Sequence, residues 1–159
     1  MLRRTLLGIG LALCASLVFA QVPPKPGPKD LCPVCGMLVS KYPNWVAVVT
    51  WKDGHAHFFD GAKDMFKFLN DLPKFAPKHR KEYIAGIFVT DYYNLERIDA
   101  RKSLFVTGSD VLGPMGHELL PLATRADADD FIKEHKGKRI LAFDQIGPKL
   151  PYDLDDGKF

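Results

Sequence analysis

The sequence predicts an α+β protein made of two consecutive ββαβ units packed together, behind a signal peptide and a Pro-rich leader. Three observations predict it. A strand–turn–strand pattern at residues 45–59 leads into an amphipathic stripe and then a buried strand. The same order of patterns returns at residues 103–143. Each half alone is too small to bury its apolar face well, so the two halves need each other. With 159 residues, 47% of them hydrophobic, the chain has the material for a real core.

Arg3 and Arg4 precede an apolar run from Leu6 to Phe19, and Val18-Phe19-Ala20 offers a small-x-small cleavage site. That is the layout of a secretory signal peptide over residues 1–20, and the run is shorter than a membrane span requires. Export to the periplasm is the expectation. A lipidation site wants a small residue just before its Cys, and Leu13 stands before Cys14, so a soluble periplasmic form is the expectation and a membrane tether follows only if Cys14 is lipidated. The formal charge is +3, and Arg3 and Arg4 account for two of it, so nucleic acid is not an expected partner.

Residues 21–44 hold a stiff leader with Pro23, Pro24, Pro26 and Pro28, followed by the motif Cys32-Pro33-Val34-Cys35-Gly36-Met37. The first unit spans 45–102. Residues 45–51 are β-rich, Lys52-Asp53-Gly54 is a hairpin signal, and residues 55–59 return. Asp60 is the expected helix cap, and Ala62, Met65, Phe66, Leu69 and Leu72 form one apolar stripe. A basic, proline-marked loop at 73–81 precedes a buried strand at 83–90, and residues 95–102 read as a link. The second unit spans 103–146. It has a strand at 103–107, a glycine-rich loop at 108–116, a strand at 117–122 and a helix opened by Thr124 with Asp127, stopped at Lys136-Gly137. A last strand covers 139–143. The tail, 147–159, reads as irregular.

Two thiols this close staple almost no chain, so their reason is chemical rather than structural. A thioredoxin-like redox pair needs the motif at a helix N-terminus after a strand, and here it follows a proline leader. A structural zinc site needs four ligands, which His55 and His57 could complete. Cu(I) favours few, soft ligands, and Met37 supplies a thioether that neither zinc nor disulfide chemistry requires. Gly36 lets the loop turn between Cys35 and Met37. Met115 and His117 lie in Gly113-Pro114-Met115-Gly116-His117, a poor place for a core methionine, and are further candidate metal ligands. His79 and His135 read as solvated or half-buried. The sequence offers no Ser/His/Asp set, phosphate loop or paired carboxylates, so an enzyme is not expected.

Cys32-x-x-Cys35-Gly36-Met37, His57-Phe58-Phe59-Asp60-Gly61, residues 89–93, the run Gly108 to Leu119 and Ala126-Asp127-Ala128 together resemble the NosL family, copper-binding accessory proteins of nitrous oxide reductase maturation. The resemblance covers nearly all of the chain beyond the signal peptide and implies a similar duplicated ββαβ fold. It implies a periplasmic Cu(I) metallochaperone, with Cys35 and Met37 as the leading ligands and Cys32 matching the family's upstream cysteine. The implied partner is a copper-accepting protein or a membrane-associated maturation complex. The opening also looks like a YHS-type metal signature. That signature's later Cys is absent, and Asp60 stands near where it would fall.

Overall fold

The computed structural model describes residues 22–159. The expected signal peptide and Cys14 lie outside the described residues. Strand β1 (Ala47–Trp51) is buried along its whole length, as its run of apolar and β-branched residues requires. It turns at Asp53-Gly54, where Gly54 takes φ +90°, and pairs antiparallel with β2 (Ala56–Phe59). On its other side β1 pairs with β3 (Ile84–Thr90), with an irregularity between Thr50 and Trp51. Between β2 and β3 runs helix α1 (Ala62–Asn70), whose apolar stripe packs into the core, followed by the short turn α2 (Leu72–Phe75) capped by Asp71.

The expected link at 95–102 contains a further strand, β4 (Arg97–Asp99), which adds to the free side of β3 and gives the order β2-β1-β3-β4. Three residues are too few for an alternation to show in sequence, and only Ile98 in the middle is apolar. The second sheet has the order β8-β5-β9, with β5 at Leu104–Thr107. In both sheets the earliest strand in sequence lies between the next strand and the one after the helix.

The 108–122 region differs from the sequence reading. The glycine-rich loop folds as a small hairpin, β6 (Leu112–Gly113) against β7 (Gly116–His117), and a separate β8 (Leu120–Leu122) joins the second sheet. The expected single strand 117–122 breaks because Glu118 turns inward and accepts the Lys63 and Leu119 amides at 2.6 and 2.9 Å. Helix α3 (Arg125–His135) starts where expected. The Thr124 hydroxyl accepts the Asp127 amide at 3.1 Å, and Lys136 ends the helix in the left-handed region. Strand β9 (Arg139–Ala142) follows. The tail is not irregular throughout. Helix α4 (Leu150–Asp155) buries Pro151 and Leu154 and returns its last turn to α1.

The two sheets share one core. The Phe66 ring of α1 stands edge-on to Phe105 of β5 at 5.1 Å and against Phe143 at 5.0 Å. Such pairs contribute about 0.5–1.5 kcal/mol each beyond their burial. A smaller cluster, Val106, Leu120, Leu122, Ala128 and Phe131, lies under α3. Among the described residues no helix is long and apolar enough to cross a membrane.

Gly61, the residue before α1, has no room for a side chain: a Cβ there would overlap the Glu118 carboxylate, which its two amide bonds hold in place. We therefore expect Gly61→Ala to destabilise the fold by about 1–3 kcal/mol, read as a lower urea midpoint.

Candidate metal centre

The 31–38 loop is closed by a β-bridge between Leu31 and Leu38. Inside it the Cys32 amide donates to the Met37 carbonyl and the Gly36 amide to the Cys32 carbonyl, both at 2.9 Å. Gly36 sits at φ +79° with no atom near where a Cβ would stand. Its requirement is backbone conformation, not space. The turn folds both thiols to one side. Cys32 is 1% exposed and Cys35 is half-buried, and both are free thiols.

Two carboxylates meet them. Asp60, just after β2, lies 3.2 Å from the Cys35 sulfur through Oδ1, and Asp64, in the first turn of α1, lies 3.4 Å from the Cys32 sulfur through Oδ2. One ligand atom from each of the four residues lies within 4.8 Å of all the others. Asp60 does not cap α1: Gly61 is the cap residue, and no side chain bonds there. Asp60 is instead 1% exposed, and among the described residues its Oδ2 has no hydrogen-bond partner. A buried, unpartnered carboxylate oxygen is costly, about 1–3 kcal/mol or more, and a cation between the four groups would relieve it.

Burial pushes the Cys35 thiol up to about 12. The main-chain N–H of Met37 opposes the rise, and Asp60 and Asp64 add to it. Burial raises Cys32 further still. There the N–H groups of Cys35 and Val34 give partial relief, while the charges of Asp64 and Asp60 raise it. Both thiols are therefore protonated until a cation arrives. A metal ion bound there would reverse that balance, replacing the protons and turning the carboxylates from a penalty into an attraction.

Lysines fasten this corner. Lys67 contacts Asp64 at 3.1 Å and Asp155 of α4 at 2.8 Å. Lys63, wholly buried, pairs with Asp155 at 2.8 Å and donates to the Met115 carbonyl at 2.8 Å.

A NosL family model matches residues 23–151. The chain belongs to the NosL family. The fold of this NosL-family chain is similar to the crystal structure of the copper chaperone NosL from Shewanella denitrificans. The TM-score is 0.64 at 26% identity, over 77% of this chain and 93% of that one. A weaker likeness, TM-score 0.46 at 23% identity over 66% and 87%, is to the solution structure of the apo-NosL protein from Achromobacter cycloclastes. No curated protein matches the chain. The Shewanella protein is described as a copper chaperone.

Of the residues singled out in the sequence, the structure brings Cys32 and Cys35 together. Met37 follows them in the same loop, half-buried, its carbonyl holding Cys32. Met115 and His117 lie in the β6–β7 hairpin, which Lys63 ties to the first turn of α1. The Met115 side chain is 44% exposed, and His117 packs edge-on to Phe159 at 4.8 Å. Among the described residues neither side chain hydrogen-bonds to a cysteine, whose partners are Asp64 and Asp60. The histidines suggested for a zinc site are elsewhere: His55 and His57 surround Trp51 and His79 at the opposite end of β2.

Asp64 was not singled out in the sequence, and Asp60 was read there as a helix cap. The signal that could have found them is a pair of acidic residues, one before and one just inside a helix start whose neighbours are core residues. The YHS-like opening pointed to the same place. Asp60 stands beside Cys35, near where that signature has its second thiol.

Proposed function

We propose that this protein is a Cu(I) chaperone acting in the periplasm, with Cys35 and Met37 as principal ligands and Cys32 behind them. It would deliver its ion to a maturing copper enzyme, nitrous oxide reductase being the recipient the family suggests. The observation that carries this reading is the convergence of Cys32 and Cys35 with Asp60 and Asp64. The likeness to a solved copper chaperone supports it.

The chemistry follows from exposure. Cys35 is reachable from solvent while Cys32 is sealed, and Gly36 beside them is exposed. Cu(I) displaces the Cys35 proton to water and takes the thiolate and a thioether, soft donors that suit it. Two or three soft ligands leave an open position, through which an acceptor's Met, Cys or His enters. The ion then passes through a shared-ligand state without being released. Met115 and His117, on the hairpin pinned beside α1, are the candidates for closing that position in the resting protein.

The carboxylate pair favours a second reading, Zn(II) held four-coordinate by Cys32, Cys35, Asp60 and Asp64. A thiol–disulfide oxidoreductase is disfavoured, since such enzymes lower a thiol pKa and here both are raised.

Met37→Leu separates the two metals. Leu keeps the bulk and removes the sulfur, so Cu(I) affinity should fall about tenfold or more while Zn(II) affinity holds. Parallel chelator competitions with both ions check this. Delivery itself is tested by incubating the Cu(I)-loaded chain with copper-free nitrous oxide reductase. Copper should appear in the enzyme, and its retention on the chaperone would refute this recipient.

A further inference from the structure

We propose that Asp53, His55 and His79 form a second metal site, built of nitrogen and oxygen rather than sulfur, for a divalent ion of borderline softness such as Zn(II). The three residues each place a ligand atom within 4.8 Å of the others. Asp53 Oδ2 lies 3.1 Å from His55 Nδ1 and 3.9 Å from His79 Nε2. Bonds of about 2.0–2.1 Å to a tetrahedral zinc put ligand atoms about 3.3 Å apart, so the two observed spacings bracket the need. Two imidazoles and one carboxylate leave the fourth position to water, and the site faces solvent.

The donors are held by their surroundings. The Asp53-Gly54 turn fixes the carboxylate: Asp53 Oδ1 accepts the His55 amide at 3.0 Å, leaving Oδ2 toward the two rings. His79 arrives from the basic loop, its own amide bonded to Ala76 at 2.9 Å and its ring lying on Trp51 at 4.2 Å. Trp51 is in turn anchored by donating its indole N–H to His57 Nδ1 at 2.8 Å. His57 therefore positions the platform and is not itself a ligand through that nitrogen. The basic loop is thereby tied to the β1–β2 turn by a ring stack.

The site is separate from the cysteines. His55 precedes β2 and Asp60 follows it, and five residues of extended chain span about 17 Å at about 3.3 Å each. One ion cannot bridge the two clusters. The two clusters differ in donor chemistry: the one at Asp60 contains sulfur, and the one at Asp53 offers nitrogen and oxygen alone. This inference does not depend on the Cu(I) reading.

Co(II) is the probe, because a thiolate ligand gives it a charge-transfer band that imidazole and carboxylate do not. The full chain is dialysed against low-micromolar Co(II), and metal content, absorption and Trp51 fluorescence are recorded. One Co(II) without the thiolate band should bind to both wild type and Cys35→Ser and perturb the fluorescence. His55→Ala, at a side chain 75% exposed, should lose that ion and leave Cu(I) binding unchanged. Asp53→Asn should weaken it about tenfold or more. The proposal is overturned if His55→Ala retains as much Co(II) as wild type. It is equally overturned if all Co(II) bound by wild type carries the thiolate band and disappears in Cys35→Ser.

Discussion

Cys35→Ser should leave a folded protein that no longer retains Cu(I). The substitution is nearly isosteric, and a serine hydroxyl can still donate to Asp60 as the thiol does at 3.2 Å. What it removes is the one soft, ionisable donor at the mouth of the site. Loss of an outer-shell partner typically costs a metal site 10–100-fold, and loss of a principal ligand should exceed about 100-fold. Copper content after anaerobic desalting of the loaded protein measures it. Cys32→Ser behaves differently. Cys32 is a sealed core residue that also meets Asp64, so this substitution should lower stability as well as affinity. A Cys35→Ser protein that keeps a full equivalent of copper would remove the central ligand from the account.

The second large effect is structural. Asp155→Asn should destabilise the fold by about 3 kcal/mol, because it strands a wholly buried ammonium. Among the described residues the Lys63 ammonium meets only Asp155 and the Met115 carbonyl, whereas Lys67 keeps Asp64. The effect should also depend on pH. Burial pushes the Asp155 carboxyl up, but the Lys63 and Lys67 ammonium groups outweigh it and hold it below its ordinary 3.8. Its contribution is therefore full above pH 3.8 and fades as pH falls through the depressed value, where wild type and variant should converge. Denaturant midpoints of both proteins between neutral and acid pH give the comparison. Asp153→Asn is the control. Its Lys149 partner is 85% exposed, so it should cost well under 1 kcal/mol. Because Lys63 also holds the Met115 carbonyl, Asp155→Asn should loosen the β6–β7 hairpin beside the metal centre.

The parts of this fold that were legible in the sequence are those with enough residues for a period to register. The β1–β2 hairpin showed itself through Asp53-Gly54, α1 through a stripe from Ala62 to Leu69 (Leu72, read as its continuation, opens α2), and α3 through Thr124 and Asp127. Strands β4, β6 and β7 have two or three residues each, too few for alternation to appear. Helix α4 was hidden by prolines and aspartates that read as a tail. Its reason to exist is tertiary: Leu154 in the core and Asp155 on two lysines of α1. The same division holds at the metal centre. Cys32 and Cys35 are neighbours in sequence and announce themselves, whereas Asp60 and Asp64 reach them only because β2 ends and α1 begins beside the loop. Lys63 and Lys67 were invisible for a related reason. Charged residues on a helix ordinarily face water, and here both lie inside because α4 covers them.

The measurement that bears most directly on the account is a Cu(I) competition titration. The reduced wild-type chain, lacking residues 1–20, is titrated against a chromophoric Cu(I) chelator, with a parallel Zn(II) series. The account predicts that the protein withdraws one equivalent of Cu(I) and that Zn(II) does not displace it. If the chelator keeps all of its copper while the protein takes up Zn(II) at the four-residue cluster, the cysteines serve a zinc site and the copper reading is wrong.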